Sequence, residues 1–242
     1  MSGPQMPIPP DLSGDVRIVK AGKIRIGRKP PKLAPFVVKE FRMGPRTGWS
    51  VVDIDAFDAR FDATFGFHVE HASQGVSFQL AREDLPDAPV VTARCAWGSA
   101  TESKSLSRGS VGVESRVPQR RTTLCEFLDA PDGEPAVLFL EVGPPTSLFN
   151  PRFPSHGGLV QGKSRYEAIS TNVTKPALLG MMAPMITGTV FWTGGRAVAA
   201  VERLLPGRVL IACSVPAAEE SLFVAVGTAL LVQDFESGGP PH

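Results

Sequence analysis

The chain has 242 residues, 43% of them hydrophobic, with 25 Lys+Arg against 24 Asp+Glu. That apolar share excludes a wholly disordered chain, and the near-neutral balance excludes a nucleic-acid protein that works through overall positive charge. The 24 Gly and 23 Pro exclude a helical bundle, because both residues break helices.

Residues 1–14 are Pro/Gly-rich and polar and read as a flexible tail. Val16–Lys20 and Lys23–Ile26 flank Ala21-Gly22 as a short hairpin, Arg28–Lys32 is a basic breaker, and Phe36–Met43 reads as a strand. Charge is segregated here. Ten basic residues lie from Arg17 to Arg46, with Asp15 and Glu40 the acidic residues in or beside that stretch; from Asp53 to Asp87 eight acidic residues face two basic ones.

Every odd position from Phe57 to Val69 is apolar, which at period two means a strand with one buried face. Phe57, Phe61 and Phe65 also fit one face of a helix, which leaves a helical start as the alternative. Alternation resumes at Val76, Phe78 and Leu80, so a hairpin closing near Gly75 is expected. Ala93, Cys95 and Trp97 mark another strand, and 98–112 a loop or hairpin tip. Arg120–Leu128 and Ala136–Val142 flank Asp132-Gly133, a strong hairpin signal. The Gly/Pro-rich stretch 143–162 reads as a long surface loop. Ala177–Trp192 is apolar but interrupted by Gly180, Pro184 and Gly188, too short and broken to span a membrane. Met181, Met182 and Met185 within it read as core filler.

The end of the chain is the most legible part. Gly188–Trp192 and Ala197–Val201 form a hairpin through Gly194-Gly195, and Gly207–Cys213 is a further strand. A helix follows over about 216–235, opened by Pro216, Glu219 and Glu220, with no charged residue from Leu222 to Val232. A helix apolar on all sides must be buried on all sides. This order over roughly Thr187–Ser237 resembles the end of tubby-like and phospholipid-scramblase-like domains. The resemblance implies a closed twelve-stranded barrel around a hydrophobic C-terminal helix. It places no lipid-headgroup or calcium-site residue in this chain.

Phosphate-loop, nucleophile-elbow and HExxH patterns are absent from the sequence. His68 and His71 fall on opposite faces of a strand and cannot chelate one ion together. Asp53, Asp55, Asp58 and Asp62 lack the spacing of an EF-hand and read as a solvated acidic face. His156 lies in a loop-like Pro-Ser-His-Gly-Gly, where adjacency to Ser155 makes no catalytic pair. Cys95, Cys125 and Cys213 have no metal-site spacing and read as three reduced core thiols, although Cys95 and Cys125 sit in strands that could face one another.

The sequence therefore predicts a mainly β fold, an antiparallel barrel or strongly curved sheet enclosing the C-terminal helix. It would form one domain over 15–237, with flexible tails at 1–14 and 238–242. The function expected is a non-enzymatic binding or scaffold protein, bacterial and cytoplasmic, since no signal segment follows Met1. Arg17, Lys20, Lys23, Arg25, Arg28, Lys29 and Lys32 are the candidate anion-binding residues. Two alternatives stand beside it: a structural subunit of a larger bacterial or phage-like assembly, and an enzyme with a site inside the barrel. No cofactor or metal is expected. The partner classes are a protein or further copies of the chain, then an anionic lipid surface; nucleic acid is disfavoured and no transmembrane segment is expected.

Overall fold

A computed structural model describes residues 6–21, 32–45, 47–58, 63–84, 90–108, 111–130, 133–144, 154–176, 182–203 and 207–236, with side chains described outside 47–72, 101–119, 172–185 and 234–236. A short 3-10 turn at Pro10–Leu12 precedes β1 (Val16–Lys20), β2 (Phe36–Met43), β3 (Thr47–Asp58) and β4 (Ala63–Arg82). Then come β5 (Val91–Arg108), β6 (Val111–Leu128), β7 (Ala136–Val142) and β8 (Ser155–Gln161). The chain ends with β9 (Ser164–Pro176), β10 (Met182–Thr193), β11 (Arg196–Glu202), β12 (Arg208–Ala212) and α1 (Ala217–Glu236).

The strands make one antiparallel sheet in the order β1-β12-β11-β10-β9-β8-β7-β6-β5-β4-β2, with β3 also paired to β4. From β4 to β12 this is a plain meander, the topology that short turns between alternating strands favour. The fold is mainly β, as expected, and α1 lies within two residues of its expected bounds. The sheet is not closed. Its path ends at β1 on one side and at β2 on the other, so of the two shapes expected, the curved sheet forms and the barrel does not.

Curvature follows from what the sheet must cover. From Leu222 to Val232 every residue of α1 is buried. The helix packs against β4, β5 and β6 near one end of the strand order and against β11 and β12 near the other. Phe223 meets Phe191 of β10 and Tyr166 of β9 edge-on, with ring centroids 5.8 and 5.2 Å apart. Only a sheet bent round the helix brings strands from both ends of the order onto one helix.

Several expectations are corrected. Residues 6–14 pack on the sheet instead of trailing: Met6 and Leu12 are buried, Asp11 accepts the Ala197 amide, and Glu202 accepts the Met6 amide. β4 runs straight through Gly75, which pairs with Ala96 and accepts the Gly44 amide; no hairpin closes there. β8 occupies Ser155–Gln161 in the stretch read as a loop. The Lys23–Ile26 strand lies outside the described residues, and β1 pairs with β12 instead. Cys95 and Cys125, opposite each other across β5 and β6, form a disulfide; Cys213 is free and exposed, so the reading of three reduced core thiols fails.

Candidate functional site: the outer face of the sheet

The basic residues predicted to bind an anion do not converge in the described part of the chain. Arg17 faces inward to the molecule: its guanidinium donates to Glu220 Oε2 at 3.3 Å and to the Val215 carbonyl at 2.6 Å. It ties β1 to the start of α1. Lys20 and Lys32 are exposed. Lys23, Arg25, Arg28 and Lys29 lie outside the described residues.

The nucleophile candidates are similarly placed in structural roles. Ser155 Oγ accepts the Ser170 amide at 2.7 Å. His156 is on β8, not in a loop, with Nε2 4.0 Å from Glu141 and its ring 6.0 Å from that of Phe139. Although Cys213 is exposed, partial desolvation and a hydrogen bond to Asp15 push its thiol up, the opposite of what an activated thiolate needs. Among the described residues no group of three His, Cys, Asp or Glu side chains is assembled to hold a metal ion.

What the structure does present is an apolar outer face. In β7, Ala136, Leu138, Leu140 and Val142 are buried toward α1, yet the alternate positions Val137 and Phe139 are also apolar, 41% and 40% exposed. A continuous apolar run is the pattern of a strand covered on both faces. In the described residues β7 is covered on one. The neighbours extend the patch: Leu124 of β6, 52% exposed, pairs with Phe139, and Val160 of β8, 41% exposed, pairs with Val137. Gly158 pairs with Phe139 on the other side and leaves a notch without a side chain.

The row continues through Glu167 of β9 to Trp192 of β10. There Arg165, Glu167, Ile169, Trp192 and the Thr193–Gly195 turn line an open cleft of about 540 Å³. Two local features shape it. A bulge at Val198 shifts the β10–β11 register between Phe191 and Trp192; Phe191 is buried under the sheet, and Trp192 is partly buried against the core. Gly194 and Gly195 have φ of 55° and 76°, which closes the hairpin tightly and leaves the rim open. Around the apolar centre lie Arg94, Glu126, Arg120, Glu141, Arg165 and Glu167. This is an apolar core, an aromatic-lined cleft and a mixed-charge rim, the anatomy of a protein-docking surface.

The sequence reading missed this surface. The signal was present in Ala136–Val142, where both phases of the alternation are apolar. No protein-family model, curated protein or solved structure matches the chain.

Proposed function

We propose that the protein is a non-enzymatic binding or scaffold module that docks a protein partner on the outer face of β6–β9, with the Trp192 cleft receiving an anchoring side chain. The observation that carries this is the contiguous set Leu124, Val137, Phe139 and Val160, large apolar side chains in cross-strand register and solvent-exposed. Large exposed patches rimmed by polar residues mark interaction sites. The interior supports the same reading, since the concave side of the sheet is occupied by α1. The Cys95–Cys125 bond favours an oxidising compartment over the reducing cytosol expected from the sequence.

The test places a photo-cross-linking residue at Leu124 in the cell of origin. A discrete adduct that is lost on Phe139→Asp and on Trp192→Ala, with the melting temperature of each variant unchanged, supports the outer face. An adduct pattern indifferent to both substitutions overturns it. So does an adduct obtained only from a cross-linker at Lys20 or Lys32, which would return the interface to the basic region.

A further inference from the structure

The outer face of the sheet is open over β6–β9 and covered over β10–β12. Val209 faces α1, since a Cβ on Gly227 would collide with its Cγ2. Leu210 and its cross-strand neighbours Ala200 and Val190 therefore point to the other face, yet all three are buried. Residues 6–14 cover them. The 3-10 turn packs on β11 and β12, and the Asp11 carboxylate accepts the Ala197 amide. The border is sharp: Ile169 of β9 is 38% exposed, while Val190, its partner on β10, is fully buried. The face that carries Leu124, Phe139 and Ile169 is thus continuous with one on which the chain already seats a peptide segment.

One detail of that seat is repeated on the open side. On the covered side Gly188 of β10 pairs with Glu202 of β11. Met6 lies over the glycine, where a Cβ would collide with its Sδ, and its amide donates to Glu202 Oε1 at 3.2 Å. On the open side Gly158 of β8 pairs with Glu167 of β9 on the same face. Apart from its chain neighbours, a Cβ on Gly158 would meet the Tyr166 carbonyl oxygen at 3.0 Å, and no side chain among the described residues comes within 4 Å of it. Glu167 is exposed and has no hydrogen bond or ion pair among the described residues. The row Phe139, Gly158, Glu167, Trp192 puts an aromatic ring at each end, about 14 Å apart at the usual strand spacing. The same notch and the same acceptor recur, here on the exposed half of the face.

We infer that this notch receives an extended, proline-containing segment of the protein partner, with a methionine or aliphatic side chain over Gly158 and the main-chain amide of that residue on Glu167. The inference rests on the docking role proposed for the outer face and names the chemistry of its occupant. The amide selects that occupant. In a helix or a paired strand the main-chain amides are already engaged in the ladder, so a folded surface presents few to a carboxylate. A segment kept out of such ladders by proline has them free, and a residue ahead of proline is held extended. Met6-Pro7 has this form on the covered side, with Pro9 and Pro10 after it. Proline also lowers the ordering cost of docking. In a second copy of the chain the segment of this type, residues 6–14, is already held on its own sheet.

The test titrates the full, isotope-labelled chain with the N-acetylated peptide of residues 6–14 and follows amide shifts by NMR. Saturable shifts are expected at Gly158, Glu167 and the Trp192 indole, with Kd below about 1 mM. Met6→Ala in the peptide, or Glu167→Ala in the protein, should raise Kd by about 10-fold. Glu167 is exposed, so that variant retains the fold. No saturable shift at Gly158 and Glu167 up to about 5 mM overturns the inference. So do shifts confined to Gly188 and Glu202, which would mean exchange with the chain's own segment, and binding indifferent to Glu167→Ala. Shifts at Gly158 that follow protein concentration without peptide assign the notch to a second copy and also overturn it. A failed titration beside a discrete Leu124 adduct removes only the extended-segment chemistry; loss of the adduct removes the docking face itself.

Discussion

Tyr166 is the only tyrosine in the chain, so its titration can be read by absorbance without ambiguity. Its hydroxyl donates to Glu219 Oε2 at 2.6 Å. Burial, then the hydrogen bond and charge of Glu219, push its ionisation well above the ordinary phenol range. The fold thus favours the neutral phenol. Its contribution is fully present below the unfolded value of about 10 and is lost as pH rises toward the folded value. Absorbance at 295 nm should stay flat through pH 10 to 11 for the native protein and step near 10 once it is unfolded in urea. A native step near 10 would count against the buried contact. Tyr166→Phe should cost about 1 kcal/mol in a urea titration. Gly227 sets two effects against each other. Alanine in mid-helix gains about 1 kcal/mol over glycine. Here, however, an added Cβ would lie 2.3 Å from Val209 Cγ2, on a buried side chain whose branching leaves it little freedom to turn away. Overpacking should win, and Gly227→Ala should destabilise by about 1–2 kcal/mol. Combining it with Val209→Ala should show a favourable coupling above about 1 kcal/mol in a double-mutant cycle.

The elements differ in how much of them could be read from local sequence. α1 was legible because eleven uncharged residues after an acidic first turn can only be a buried helix. The hairpins at Gly133 and at Gly194-Gly195 were legible because φ above zero at a turn calls for glycine, and these glycines have it. Other glycines misled for the same reason. Gly75 looked like a turn but is flat strand. Gly157 made β8 look like a loop, yet it is glycine because a Cβ there would lie 2.2 Å from the Phe139 carbonyl oxygen of β7. Close approach and turn formation leave the same letter in the sequence. The packing of Met6 and Leu12 was invisible because its partners are nearly two hundred residues away. That docking is testable: removing residues 1–14 deletes both side chains and leaves Glu202 with Arg208 alone among the partners described here. The loss should be about 3–5 kcal/mol, measured as a lower urea midpoint with m nearly unchanged. The candidate site was the least legible, since helical cover on one side of β7 decides which of its two apolar phases is left in water.

At the scale of the whole molecule, the open seam of the sheet is bridged by side chains instead of by a ladder. Arg17 comes from β1 at one end of the strand order and Arg82 from β4 beside the other end; both donate to Glu220 Oε2, at 3.3 Å. Arg82 also forks onto Asp84 and lies over the Phe36 ring, 5.4 Å from its centroid. The Glu220 carboxylate is 9% exposed, but the arginines keep 28% and 21% of their side-chain surface in solvent. Glu220→Gln should therefore cost about 2 kcal/mol, less than for a fully buried pair. Hydrogen exchange in that variant should rise first in β1 and at the Arg82 end of β4, which the carboxylate holds together. The Arg82 fork holds the Asp84 carboxyl below the ordinary carboxylate range. A depressed carboxylate stabilises above its unfolded value of about 4 and loses that contribution as pH falls through its folded value. Asp84→Asn should make the acid limb of the stability profile shallower, and an unchanged limb would argue against the fork.

The Cys95–Cys125 bond closes a covalent loop over a sequence separation of 30 residues, and that loop contains most of β5 and β6. One consequence concerns the fate of the chain when it is cut. A protease that nicks the backbone anywhere between these cysteines does not divide the protein; both pieces stay joined and keep one electrophoretic mobility until a reductant is added. The segment between Cys95 and Cys125 is thereby the stretch of this chain where cleavage and fragmentation are separate events.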